Sequence, residues 1–441
     1  MVDTTNGDGR LRFQRDAVLG LKSGDGMLIT GEAGTGKSTL IREWLRLHGE
    51  RAMRLAPTGV AALNFGGQTI HRAMHISPGA SNGRVVASAK NLLRRDPSTW
   101  ANLDTVVVDE IGMVRSDLLS QLDLFLRTVK GDPSVFGGVR MIFVGDPLQL
   151  QPVVGRGEAD QFGPGGLWHS PWFFDSPAFR ELARSGGIRF VNLKRPHRQS
   201  DTGFLDLLHG IRLGEPDGGL LADFNDRRAD GAFAPDAMTL TPVNSIADER
   251  NARGLAALDA DRFTVCADVS GKWPTGTASD PVRRELTLCV GARVMTVAND
   301  PDGAYVNGST GTLLEWTPNP GVALVRLDNG PEVEVRWHRW SQVERVWDDR
   351  RDRMVNRSVG EFVQLPLKLA YASTIHKAQG LTLDGMNLAI RNTQIFAEGQ
   401  AYVALSRCRT AAGIHMDRRI APFECKASER VLGFLKEVGC L

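Results

Sequence analysis

Four short runs in the first third of the chain are continuously apolar: Met27-Leu28-Ile29, Leu55-Ala56, Val106-Val107-Val108 and Met141-Ile142-Phe143-Val144. Strands buried on both faces of a parallel sheet read this way. Between them the apolar positions recur at helical spacing, as in Leu40, Ile41, Trp44 and Leu45, and in Leu118, Leu119, Leu122, Phe125 and Leu126. Strand alternating with helix predicts an α/β fold. Arg54-Leu55-Ala56 is a strand that breaks at Pro57 and restarts as a helix near Gly59. A second α/β series opens with Ile188-Arg189-Phe190-Val191-Asn192-Leu193. It continues through a helix carrying Phe204, Leu205, Leu208 and Ile211, the strand Met238-Thr239-Leu240-Thr241, and a helix starting after Asn244-Ser245. The boundary between the two series falls near Ser185-Gly186-Gly187. Residues 77–100 loosen into Gly, Ser, Asn and basic positions around Val85-Val86 and read as a small insertion. Residues 291–347 turn to short alternating segments, with Asp328-Asn329-Gly330 as a hairpin turn, and read as a small inserted β-barrel. The expected organisation is one α/β domain over 1–76 and 101–186 with the insertion 77–100, and a second over 187–290 and 348–441 with the insertion 291–347.

Composition narrows the class without naming a partner. The 441 residues suggest about two to four domains. A hydrophobic fraction of 42% and a charged fraction of 24% fit a globular protein with a large core. No apolar run approaches the roughly 18 residues of a membrane span, and the first nine residues are polar, so a cytoplasmic protein is expected, nucleoid-associated if the source is prokaryotic. Cys266, Cys289, Cys408, Cys425 and Cys440 are widely scattered with no metal or redox spacing, and all five read as reduced and structural. A net charge of +2 offers no broad basic face, so any nucleic-acid binding needs a local groove.

The candidate chemistry starts at Gly31-Glu32-Ala33-Gly34-Thr35-Gly36-Lys37-Ser38, between the first strand and a helix beginning at Thr39. That order is the context a phosphate-binding loop requires. Glycines let backbone N–H groups turn toward phosphate oxygens, and the helix brings its positive end to the same place. Gly34, Thr35, Gly36, Lys37, Ser38 and Thr39 therefore form the expected nucleotide cradle, Lys37 bridging the β- and γ-phosphates and the Ser38 hydroxyl binding Mg²⁺. The strand ending in Asp109-Glu110 supplies the second half: Asp109 to the Mg²⁺ shell, Glu110 to orient or deprotonate the attacking water. Gln149, at the end of another buried strand, either hydrogen-bonds the γ-phosphate and reports its loss or is a surface turn residue. Upstream, Gln14 adjoins a helical face of Phe13, Ala17, Val18 and Leu21; it either reads an adenine edge or is a solvated glutamine. Trp168, Trp172, Phe173 and Phe174 either stack on bases or pack under a long loop.

Taken in order, these motifs resemble the superfamily-one DNA helicases, and within them the Pif-type group. The resemblance runs from Gln14 through the loop at Lys37, residues 56–62, Asp109-Glu110, residues 145–152, Arg198-Gln199 and residues 374–380 to Tyr402-Val403-Ala404-Leu405-Ser406-Arg407. Its more specific part is Ile111-Gly112-Met113-Val114-Arg115-Ser116-Asp117-Leu118 through Gly131. The chain departs from the usual pattern at Gly112 and at Pro196-His197. The resemblance implies two tandem RecA-like P-loop domains with ATP in the cleft between them. The insertion 77–100 would carry a wedge, and 291–347 would be an SH3-like barrel. It further implies that Arg198 and Arg407 are arginine fingers acting in cis, that Gly380 approaches the phosphates or ribose, and that Gln149 senses the γ-phosphate between the domains. Single-stranded DNA would lie across both domains, met by Pro57, Thr58, Gly59, Thr69 and His71 from the first and by Thr374, His376 and Lys377 from the second. The implied activity is ATP-dependent 5′-to-3′ unwinding of forked duplex DNA by a protein that is a monomer without DNA, with G-quadruplex and RNA–DNA hybrid substrates left open. No membrane partner is expected. A nucleotide-switched clamp on nucleic acid is the alternative, and a small-molecule kinase on the same loop is disfavoured.

Overall fold

The computed structural model describes residues 26–155, 157–194, 199, 201–274 and 280–441. Gln14, Arg198 and the Pro196-His197 departure lie outside the described residues. The first α/β unit contains β1 (Gly26–Gly31), β2 (Ala52–Ala56), β3 (Gln68–Thr69), β4 (Thr105–Val108), β5 (Arg140–Val144) and β6 (Ile188–Leu193). They form one parallel six-stranded sheet in the order β3-β2-β4-β5-β1-β6. Side chains alternate across it as strand geometry requires. Met27 and Ile29 join Ile41 and Trp44 of the Lys37–His48 helix on one face. Leu28 joins Val106, Val108 and the Ser116–Lys130 helix on the other.

Two features depart from the sequence expectations, and a third settles an alternative left open there. First, β6 pairs in parallel along β1, from Gly26↔Ile188 to Gly31↔Leu193. The strand expected to open the second series is an edge of the first sheet, so the expected boundary at 185–187 falls inside the first unit. An apolar run specifies a strand but not which sheet accepts it. Second, residues 82–95 form a helix, Asn82–Arg95, whose Val85 and Ala89 enter the first unit's core while Arg84, Lys90, Arg94 and Arg95 face solvent. A stripe that narrow leaves little apolar periodicity to read. Third, the aromatic segment resolves to packing. Trp172, Phe173 and Phe174 are buried, and Phe174 stacks on Phe434 with centroids 4.2 Å apart, a contact worth about 0.5–1.5 kcal/mol beyond burial. Phe434 lies on the Glu429–Glu437 helix, so the end of the chain returns to the first unit's core.

The first strand of the second α/β unit is β7 (Met238–Thr241). The β-rich body that follows contains β8 (Arg262–Cys266), β9 (Asp268–Gly271), β10 (Glu285–Cys289), β11 (Arg293–Thr296), β12 (Thr310–Thr317), β13 (Val322–Leu327), β14 (Glu332–Arg336), β15 (His338–Asp348), β16 (Arg353–Gln364) and β17 (Leu367–Leu369). It therefore extends well beyond the expected 291–347 on both sides. Its main sheet is antiparallel in the order β14-β13-β12-β11-β17, with β10-β8 and β15-β16-β9 beside it. The expected turn at Asp328-Asn329-Gly330 does join a hairpin, β13 to β14. The long β15–β16 hairpin reaches the first unit: Trp347 N donates to Thr99 Oγ1 at 2.6 Å, and Trp347 and Met354 complete that unit's core.

Beyond it, β18 (Ala372–Thr374), β19 (Met386–Leu388) and β20 (Ile414–Met416) join β7 in a parallel sheet ordered β18-β7-β19-β20. The helices Thr202–Leu213 and Gln400–Leu405 pack on it through Leu208, Ile211, Tyr402 and Val403. Ala33 of the phosphate loop belongs to that same core cluster, so the two units meet at the loop. Cys289, Cys408, Cys425 and Cys440 are buried free thiols, while Cys266 is exposed and fills no structural position in a core. No helix among the described residues is long and apolar enough to cross a membrane.

Candidate nucleotide and DNA site

The loop from β1 to the Lys37–His48 helix turns through left-handed glycines, Gly34 at φ 80° and Gly36 at φ 83°, the latter capping the helix. Ser38 and Thr39 are exposed at its first turn. The Lys37 ammonium donates to the carbonyl oxygens of Gly31 at 2.7 Å and Glu32 at 2.9 Å. Burial lowers its pKa, against the pull of Asp146, Glu110 and Asp109. These acids stand at the carboxyl ends of β4 and β5, the edge where parallel sheets receive ligands.

Asp109 Oδ1 accepts from the Glu110 N–H at 3.0 Å. Burial and then the Glu110 charge push the Asp109 carboxyl well above the ordinary carboxylate range. Burial also raises Glu110, opposed by Lys37 and Arg407. Glu110 sits at φ 51°, a left-handed conformation that costs a non-glycine residue about 1–3 kcal/mol and marks a functional constraint. Two adjacent half-buried acids that resist ionising together fit a site where a divalent cation supplies the missing charge.

Residues of the second unit complete this site. Gln379 Nε2 donates to Glu110 Oε2 at 3.1 Å. Arg212 clasps Asp146 through two contacts, 2.9 and 3.2 Å, with both side chains buried. Burial penalises the Asp146 charge, but Arg212 and Lys37 overcome it and hold its pKa low. The Ala33 N–H donates to the Tyr402 hydroxyl at 2.7 Å, and His209 Nδ1 lies 2.6 Å from Glu32 Oε1. Gln149, nine-tenths buried, has its side-chain amide 3.5 Å from Asp146 Oδ2. Arg407 is 2% exposed; it donates to the Val403 carbonyl at 2.8 Å, the Ser406 hydroxyl at 2.8 Å and the Leu381 carbonyl at 3.3 Å, and its charge is felt at Glu110. Gly380 is exposed at φ 85°, next to Gln379.

Arg212, Gln379, Tyr402 and His209 were not singled out by sequence. Gln379 and Tyr402 lie inside motifs already recognised. Arg212 carries a weaker signal: it continues the buried row of Phe204 and Leu208 at helical spacing, where a charge needs a partner.

The expected DNA residues share a local design. Thr58 Oγ1 caps the Gly59–Phe65 helix by accepting from Ala61 N at 3.3 Å, and Thr69 Oγ1 caps the next short helix by accepting from Arg72 N at 3.2 Å. Thr374 Oγ1 likewise accepts from Lys377 N at 3.4 Å. Capping uses the oxygen as acceptor and leaves the O–H of Thr58 and Thr69 to donate to a phosphate, whereas Thr374 is buried. His376 and Lys377 are exposed, whereas His71 and Pro57 are half-buried, and burial lowers the pKa of His71. Gly59 and Thr69 line a small 70 Å³ cavity against Pro274 and Gln342 of the β-rich body.

A family profile described as PIF1-like helicase matches residues 14–217. The chain is 32% identical to the ATP-dependent DNA helicase Pif1 of Bdellovibrio bacteriovorus over 91% of its own length and 86% of that relative. It is 31% identical to the ATP-dependent DNA helicase PIF1 of Danio rerio over 97% of its length, and spans 64% of that longer protein. Among solved structures, Bacteroides Pif1 in complex with ADP-AlF4 is 28% identical and superimposes with a TM-score of 0.82, covering 100% of this chain and 97% of that one. Bacteroides Pif1 bound to single-stranded DNA is 29% identical, with a TM-score of 0.64 over 97% of this chain and 96% of that one.

Proposed function

Because this chain belongs to the PIF1-like helicase family and is a DNA helicase, we propose that it moves 5′ to 3′ along single-stranded DNA and unwinds forked duplex at the expense of ATP hydrolysis. The observation that carries the proposal is the contact of Gln379 with Glu110, because it joins a motif of the second α/β unit to the acid that would handle the attacking water. A site divided in this way changes when the cleft changes, and a change in the cleft is what moves one unit relative to the other along a strand. Lys37 holds the β- and γ-phosphates, Ser38 and Asp109 hold Mg²⁺, Glu110 orients the water, and Gln149 reads the γ-phosphate beside Asp146. Mg²⁺ when bound neutralises phosphate charge. Arg407 is a finger toward the transferring phosphoryl group, and Arg198 is assigned the same part from sequence. Gly380 approaches the phosphates or ribose.

The strand crosses the carboxyl edges of both sheets, meeting Pro57, Thr58, Gly59, Thr69 and His71 and then Thr374, His376 and Lys377. Hydroxyls, backbone N–H groups and few cations suit phosphate recognition without sequence choice. The β-rich body plays the SH3-like part over that strand, and the Asn82–Arg95 segment carries the wedge; the active species without DNA is a monomer. The direction is tested with two partial duplexes of equal length, one bearing a 5′ and the other a 3′ single-stranded tail. Strand release with ATP is expected only from the 5′-tailed substrate. Release from the 3′ tail alone overturns the direction, and ATP-dependent binding without release from either supports a clamp instead.

A further inference from the structure

Three polar ties fix the second α/β unit to the phosphate loop and its neighbour on β5. Tyr402 is 2% exposed and accepts from the Ala33 N–H at 2.7 Å. Arg212 and Asp146, both buried, form a two-pronged ion pair. His209, one helical turn before Arg212, meets Glu32. Asp146 also accepts from Leu148 N at 3.2 Å and is approached by the Gln149 amide, so Arg212 anchors the segment that carries the γ-phosphate candidate. Buried ion pairs add little net stability but fix one arrangement over others, and a planar guanidinium fixes it most tightly.

From these contacts we infer that Tyr402 and Arg212 are positioning residues for hydrolysis: they hold the second unit against the phosphate loop so that Arg407 reaches the phosphoryl group in register. The geometry gives each a lever. Tyr402 is on the Gln400–Leu405 helix, and Arg407 follows just past its end, tied back to it through the Val403 carbonyl. A helix rises about 1.5 Å per residue, so an anchor five residues away fixes the finger's placement closely. Without the tyrosine hydroxyl the Ala33 N–H is a buried donor with no acceptor, and the loop and helix lose their shared reference point. This inference rests on the hydrolytic reading above.

The test is Tyr402→Phe in the full chain, which keeps the ring and removes the hydroxyl. With saturating single-stranded DNA, kcat for ATP hydrolysis is expected to fall at least about tenfold, since displacements near 1 Å cost up to about a hundredfold. KM for ATP, the affinity for a fluorescent ADP and the affinity for DNA stay within about twofold, the split that separates positioning from binding. A merely structural role would lower thermal stability and leave that split untouched. Arg212→Lys keeps the charge and loses the planar fork; it is expected to fall between wild type and Tyr402→Phe, and it carries the test if the phenylalanine variant does not fold. An unchanged kcat, or a raised KM with unchanged kcat, overturns the inference. Failure of the helicase reading is distinguishable, because it appears in the wild type as hydrolysis indifferent to DNA.

Discussion

Replacing Lys37 with alanine is expected to abolish ATP hydrolysis, lowering it by at least about 10²- to 10³-fold, the usual loss when one preorganised charge donor is removed. Its ammonium already sits in a charged nest, bonded to the Gly31 and Glu32 carbonyls and facing Asp146, Glu110 and Asp109. Removing the cation leaves these acids less compensated, so a nucleotide bringing further negative charge is repelled as well as unheld. Hydrolysis and fluorescent-nucleotide binding should therefore fall together, while single-stranded DNA still binds without nucleotide. Lys37→Arg keeps the charge but not the reach of a flexible ammonium and should rescue little. Normal turnover in Lys37→Ala would remove the loop from the chemistry.

Arg407→Ala is expected to cost about 10³- to 10⁵-fold in hydrolysis, the range for arginine fingers in related NTPases, with nucleotide binding largely kept. The prediction separates it from Lys37, because a finger acts on charge that develops during transfer. Arg407 is nearly fully buried and donates to groups of its own unit, so its removal also loosens the end of the Gln400–Leu405 helix. Arg407→Lys and a denaturation curve distinguish the two effects. Retained stability with lost hydrolysis supports the finger; normal hydrolysis by Arg407→Ala shifts the role to another cation.

The elements around the phosphate loop were legible because each carries its own local signal. Continuous apolar runs marked β1, β4 and β5, left-handed glycines marked the loop, and the acids at 109 and 110 closed a strand. Non-local choices were not legible. The pairing of β6 with β1 joins residues 26 and 188, and nothing in either run names the other. The β-rich body reached beyond the expected bounds to 262–369 because strands such as β8 and β9 carry little apolar patterning, with Val265 the one buried residue between them. In the site, the loop lysine and the acid pair came from motifs, whereas Arg212 shows only as a charge on an apolar row and His209 as a solvated position until the first unit's Asp146 and Glu32 are placed against them. A partner across a cleft leaves no mark at the position it serves.

The central claim is that hydrolysis is completed across the cleft between two units that also share a DNA strand. Steady-state ATP hydrolysis measured with and without single-stranded DNA tests it most directly. Slow turnover alone and at least about a tenfold rise with DNA are expected, as closure positions the groups that the second unit supplies. A rate that is the same with and without DNA would contradict it.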